Sequence, residues 1–293
     1  MNKTQPYFPL TATPFKQNKE YKELAPSTPE LSKYIRCFWG SEKPYTKTAK
    51  AAAGSIVIPD TCVDIIYQMD YTENTIVSRF CGMNDTSFLA QDESVLGHLI
   101  STFAIRFYGW EAYVFSEDSM RDTLNGFYDV PSRFRWLDIE LKAQLWEADT
   151  LLKRVKLVED LFCKYIDRHM FQLRENNVFE SAIANMLSHK GTLSIARLAK
   201  DSFVSSRHLE RIFNEYIGVT PKKLSNLVRY QLLWDDVLRD GDMNISDMAY
   251  KYGYADQAHL MREFRRYHAM DIRKARVYAL ENVENIQDIG RLC

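Results

Sequence analysis

Two short clusters of side chains, spaced alike, carry the most specific chemistry in the sequence. Ser206, Arg207, Glu210 and Arg211 fall on one side of a run whose apolar residues, Leu209, Ile212, Phe213 and Tyr216, repeat at helical spacing. Gln257, Ala258, His259, Arg262 and Arg266 stand in the same way against Leu260, Phe264 and Tyr267. A guanidinium fork can take guanine O6 and N7 together, a Gln amide matches adenine N6 and N7, Glu accepts from cytosine N4, and an Ala methyl can meet that of thymine. Such a set on the exposed side of a helix suits the major groove of duplex DNA, where each base pair shows its own donor and acceptor pattern. The plainer use of the same Arg residues is to neutralise phosphate or to pair with Glu210, Glu215 and Glu263, and both uses stay open. His208 and His259, each at a helix start, are expected to pack or to bond backbone.

Each cluster opens a helix that follows a shorter one through a tight corner. In the first copy Ile195, Leu198 and Ala199 give the short helix, with Ser194 and Ser205 at the two N-cap positions. In the second, Ile245, Met248 and Ala249 answer them, Gly253 suits a left-handed residue at the helix end, and Asp256 is the cap. Between the copies, Thr220-Pro221 starts a linker helix and Gly241 ends it. Leu224, Leu227, Val228, Trp234 and Leu238 form its apolar stripe, and Lys222, Lys223 and Arg229 are expected to face solvent or phosphate. A rigid helix would space two like readers, about 34 Å apart on successive major grooves.

These residues, Leu209, Arg211, Phe213 and Gly218-Val-Thr-Pro221, then Ile245, Met248-Ala249, Gly253-Tyr254, His259-Leu260, Arg262 and Phe264-Arg265, resemble the DNA-binding domain of the AraC/XylS family of bacterial transcription regulators. The resemblance covers the last third of the chain and implies double-stranded DNA as the partner. It places Arg207 at a position that commonly enters the groove, with Glu210 and Arg211 one turn further on. Two places depart from the family. Phe203 stands in the first turn where the family has Gly, and Ala269-Met-Asp-Ile272 replaces a Gly-x-Ser/Thr-Pro phrase after the second reader.

The 293 residues leave room for a second domain. The formal net charge is only −1, yet the stretch from Lys190 to Leu280 holds sixteen Lys and Arg against eleven Asp and Glu, so the remainder is acidic. Residues 1–30, with Pro6, Pro9, Pro14, Pro26 and Pro29, read as an extended arm or a loosely held leader. Strands are expected at Ile35–Trp39, Gly54–Ile58, Val63–Tyr67, Thr75–Phe80 and Leu99–Tyr108, which together suggest an antiparallel sandwich or barrel. Ile58-Pro-Asp-Thr-Cys-Val-Asp-Ile-Ile66 and Ile105-Arg-Phe-Tyr-Gly-Trp110 are similar to phrases of the cupin-like sensory domains in one branch of the same family. Helices follow at 111–115, 119–127, 136–146 and 149–170. The last of these carries Leu152, Val155, Val158, Leu161, Phe162, Tyr165 and Ile166 on a stripe that suits either its own core or a dimer seam, with Lys153, Arg154, Lys156, Glu159 and Asp160 mostly opposite. The polar break Arg174-Glu-Asn-Asn177 is the expected hinge before a helix at Val178–Leu187.

The expected fold class is α+β and multidomain: an N-terminal cupin-like antiparallel β-barrel or sandwich with flanking helices, then an all-α domain with two helix-turn-helix units joined by a linker helix. The corresponding division is an arm at 1–30, a sensory or dimerisation domain at 31–173, the DNA-binding domain at 178–280 and a tail at 281–293. Trp39, Tyr67, Phe80, Phe103, Phe107, Tyr108 and Trp110 could line a ligand pocket or simply fill a core. The partners expected are duplex DNA, a small-molecule effector or a second copy acting on the first domain, and RNA polymerase if the chain activates. Five cysteines without a C-x-x-C pair argue for reduced thiols, with no metal or cofactor. No apolar run is long enough for a membrane span and the start lacks a leader's apolar stretch, so a cytoplasmic place is expected. Catalytic phrases such as H-E-x-x-H or a glycine-rich phosphate loop do not occur, and the one conceivable nucleophile set is Cys62 with Asp60, Asp64 and His98. A regulator rather than an enzyme is therefore expected.

Overall fold

The computed structural model describes residues 7, 9–10, 21–48, 55–90, 94–169, 176–239 and 244–281. Gly241, the first half of the 174–177 break, most of the arm before residue 21 and nearly all of the expected tail lie outside the described residues.

The first part is built of strands β1 (Tyr21–Leu24), β2 (Ile35–Ser41), β3 (Tyr45–Thr46), β4 (Ser55–Val57), β5 (Cys62–Asp70), β6 (Thr75–Cys81), β7 (Phe88–Ala90), β8 (Leu99–Tyr108) and β9 (Phe127–Asp129). Seven make one antiparallel sheet in the order β1-β2-β8-β5-β6-β9 with β3 against β8, and β4 pairs β7 in a second sheet. Strands β5 and β8 pair from Cys62 opposite Tyr108 to Asp70 opposite Ile100. Their period-two alternation sends Val63, Ile65, Tyr67, Met69, Phe103, Ile105 and Phe107 to one face, all buried. That face packs on helices α1 (Arg135–Glu147) and α2 (Leu151–His169), with the Phe107 ring against Phe134 and Phe162. The aromatics thus divide: Tyr67, Phe80, Phe103 and Phe107 are core, whereas Trp39 stands on the opposite face, where its Nε1 donates to Asp64 at 2.8 Å.

Two expectations need correction. Residues 119–127 form turns and the start of β9 instead of a helix, because Asp122 and Asn125 are left-handed, at φ 62° and 56°. On α2 the expected stripe holds, with Val155, Val158 and Phe162 buried and Lys153, Lys156 and Asp160 exposed, except at three places: Leu152 is 69% exposed, whereas Arg154 and Glu159 are buried. The Arg154 guanidinium donates to the Ala148 carbonyl, Ser101 Oγ and Tyr71 Oη, and Glu159 accepts from the Ser27 and Thr28 amides. Packing on a second side explains the two buried charges.

The rest is helical: α3 (Asn177–Ser188), α4 (Ile195–Asp201), α5 (Ser206–Ile217), α6 (Pro221–Arg239), α7 (Ile245–Lys251), α8 (Gln257–His268) and α9 (Ile272–Glu281). Helix α6 buries Leu224, Leu227, Val228, Tyr230, Leu233, Trp234 and Val237, more than one face, because it is the shared wall of the units on either side. Tyr230 and Trp234 meet Phe264 and His268 of α8, and Tyr230 Oη bonds His268 Nδ1 at 2.8 Å.

Candidate nucleic-acid interface

Helices α4–α5 and α7–α8 are two settings of one device. Ser194, Ser205 and Asp256 accept from the amides of Arg197, His208 and His259, the capping expected of them. Asn244 caps α7 by accepting from the Ser246 and Asp247 amides, a role not expected from the sequence. Helices α5 and α8 have equal length and each ends on a left-handed residue, Gly218 at φ 70° and Ala269 at φ 57°. The corners match as well, with Phe203 at φ 57° where the second copy has Gly253 at φ 65°. Both departures from the family pattern therefore keep the backbone conformation that glycine would favour.

Ser206, Arg207, Glu210 and Arg211 are all exposed along α5, as are Gln257, Ala258 and Arg262 on α8, with His259 half-buried. Arg211 approaches His208 Nδ1 at 3.4 Å, and Gln257 Nε2 donates to Ser246 Oγ at 2.8 Å. His259 Nδ1 accepts from the Ala255 amide, the backbone bond expected of it. Arg266 lies near the other end of α8, away from the first turn, with its guanidinium over the Tyr267 ring and bonded to Tyr267 Oη. Two of the three linker-helix cations are engaged within the protein, contrary to expectation. Lys223 pairs with Asp85 at 2.7 Å, and buried Arg229 pairs with Glu263 at 3.2 Å while stacking on Tyr254. Lys222 alone of the three is exposed.

Helix α5 is gripped near its C-terminal end by the β-rich domain. The Met120 amide and Ser119 Oγ donate to the Glu215 carbonyl, Arg121 pairs with the Glu215 carboxylate at 3.0 Å, and Tyr113 stacks on Tyr216 with centroids 4.4 Å apart. On α6, Gln231 donates to the Pro59 carbonyl and accepts from the Leu10 amide. Burial opposes the charged form of Asp85, but Lys223, Asn125 and the more distant Arg266 hold its carboxyl below the usual range. The sequence offered one signal for this junction, a Gln set within the apolar run Tyr230-Gln-Leu-Leu-Trp234.

The conceivable nucleophile set does not assemble. His98 pairs with Asp70 at 2.7 Å, at the opposite end of the β5–β8 ladder from Cys62, and burial with Asp64 nearby pushes the Cys62 thiol well up. Among the described residues no His, Cys, Asp and Glu group could hold a metal ion, and no helix is long and apolar enough to cross a membrane.

Residues 198–277 match the model of a helix-turn-helix domain family, and residues 22–128 match a domain of unknown function, DUF6597. No curated protein matches the chain. Solved structures similar to it include a transcriptional regulator with an AraC-type DNA-binding domain from Chromobacterium violaceum, 24% identical over 34% of this chain and 89% of that one, with TM-score 0.32. ToxT from Vibrio cholerae O395 is 12% identical over 85% of this chain and 99% of its own, with TM-score 0.39. CdpR from Pseudomonas aeruginosa is 20% identical over 63% and 47%, with TM-score 0.31. Twin capped helix-turn-helix units and the family match together define the class, a DNA-binding transcription regulator. Its C-terminal third is an AraC-type helix-turn-helix domain, joined to a sheet-rich DUF6597 domain.

Proposed function

We propose that α5 and α8 enter successive major grooves of one duplex, about 34 Å apart, with α6 as the spacer. One observation carries the reading: the two readers share length, N-cap and left-handed end, so each offers its first turn in the same way. Arg207, Glu210 and Arg211 with Ser206 then read one half of an asymmetric site, and Gln257, Ala258, His259 and Arg262 the other, with Arg266 nearer the phosphates. The β-rich part, taken as 31–173, controls the DNA-binding part, taken as 178–280, through the grip on α5 and α6. A small molecule or a second copy acting on the first part would shift the population free to fit both grooves.

Selection from a random DNA pool, followed by affinity measurements on the winning site, tests the reading. Arg207→Ala and Arg262→Ala should each cost about 1–3 kcal/mol and relax preference at one position, in different halves of the site. If both relax the same half, or if no sequence is selected at moderate salt, the two-groove reading is wrong.

A further inference from the structure

A cleft of about 560 Å³ opens between α6 and the α7–α8 corner. Lys222, Asn226 and Arg229 stand one or two turns apart along its α6 wall, and Tyr250, His259 and Glu263 face them from the second helix-turn-helix unit. Glu263, the acidic group of the lining, is spent on Arg229, which also stacks on Tyr254. The groups that remain are donors. Arg229 Nη2 donates to Asn226 Oδ1 at 3.2 Å, which leaves the Asn226 amide NH₂ to donate. His259 Nδ1 accepts from the Ala255 amide, which puts the neutral ring's proton on Nε2. The Lys222 ammonium is exposed and the Tyr250 ring is 90% exposed.

An open cleft that offers donors, with its acceptors occupied and one net positive charge, fits a ligand that only accepts: a phosphodiester oxygen. His259 belongs both to this cleft and to the first turn of the second reader, so the cleft continues the DNA-facing surface toward the first unit. We infer that it seats the sugar-phosphate backbone lying between the two grooves, with Lys222 as the ionic contact and Asn226 and Tyr250 as hydrogen-bond donors, while His259 at its edge stays with the second half-site. This rests on the two-groove proposal and adds to it a contact that fixes register without reading sequence.

The test uses the full chain with Lys222→Ala, Asn226→Asp and Tyr250→Phe, and with Arg262→Ala as the comparison, on a selected site and on unrelated duplex across a salt series. Lys222→Ala should weaken both duplexes alike, by several-fold, and reduce the slope of log affinity against log salt by about 0.9, the value for one phosphate contact. Asn226→Asp, which keeps the shape and places a carboxylate at the backbone, should weaken binding further than Tyr250→Phe. Phosphate ethylation should interfere between the two half-sites in the parent protein and lose that interference in Lys222→Ala. An unchanged slope in Lys222→Ala, beside lost selectivity in Arg262→Ala, overturns the cleft and leaves the readers standing. If Arg262→Ala is also silent, the underlying reading fails instead. Unchanged DNA binding with lost transcriptional output would place a protein in the cleft, which also overturns the inference.

Discussion

Gly218 and Gly253 have nearly the same backbone conformation, φ 70° and 65°, in very different surroundings. A Cβ at Gly218 would lie 2.3 Å from the Met120 carbonyl oxygen and 2.5 Å from Thr123 Oγ1, both in the β-rich domain. A Cβ at Gly253 would find only Thr192 carbons at 3.5 and 3.9 Å, ordinary contacts. Alanine at either site bears the left-handed penalty, about 1 kcal/mol. That penalty is tolerable, since Ala269 occupies the equivalent place at the end of α8. Only Gly218→Ala must also push away the 120–123 turn and lose the Met120 amide bond to the Glu215 carbonyl, a further ~1–2 kcal/mol. Urea unfolding should therefore show Gly218→Ala about 1–2 kcal/mol worse than Gly253→Ala. In binding assays Gly218→Ala should behave as a protein whose first reader is released from its seat. Equal losses in the two variants would refute the claim that the close approach, and not the left-handed backbone, demands glycine at 218.

Phe203→Gly should stabilise the protein by roughly 0.5–1 kcal/mol, because it relieves a left-handed phenylalanine whose side chain is 95% exposed and so buries little. A lower melting temperature would mean that the ring is packed after all. Gln231→Leu should cost about 2–4 kcal/mol, since the Leu10 amide and Pro59 carbonyl each lose a buried partner, and thermal unfolding will report it. A neutral result would dissolve this part of the junction. His268 is pushed down to about 3 by burial, against 6.5 when unfolded. The unfolded chain thus binds the extra proton below pH 6.5, so this contribution is complete above pH 6.5 and is lost as pH falls toward 3, at up to about 1.4 kcal/mol per pH unit. His268→Phe should flatten stability between pH 4 and 6, and an unchanged slope would mean that the imidazole charges in place.

The twin helix-turn-helix units were legible because their signals are local. Caps at Ser194, Ser205 and Asp256 act within three residues, and the apolar spacing of Leu209, Phe213 and Tyr216 repeats in Leu260, Phe264 and Tyr267. The five strands expected from β-branched and aromatic runs all form, β8 over the same residues. What the sequence hid depends on distant partners. β1, β3, β7 and β9 are short edge or pairing segments with no alternation of their own to read. Lys223 and Arg229 look like solvent-facing cations until Asp85 and Glu263 are brought beside them by folding. Arg154 likewise reads as a surface residue, yet it is fully buried with three neutral oxygens as acceptors, supplied by three separate places in the chain.

Helices α5 and α8 are alike in backbone and unlike in what holds their far ends. Counted from the helix start, Glu215 and Tyr216 of α5 correspond to Arg266 and Tyr267 of α8. Glu215 and Tyr216 are taken up by Arg121, Met120 and Tyr113 of the other domain. Tyr267 stays against Tyr230, 4.7 Å between centroids, and Arg266 lies over Tyr267. Internal packing is thus common to both copies, whereas the outward end of one has become a handle. A change in the β-rich domain that shifts the 116–123 segment would act on α5 directly, and would reach α8 through α6 and the more distant Asp85–Arg266 attraction. On the proposed reading, control is then unequal between the half-sites: the base preferences set by Arg207 and Arg211 should strengthen or fade with the state of the first domain, while those set by Gln257 and Arg262 hold. A regulator built this way keeps a constant anchor on one groove and makes the other conditional.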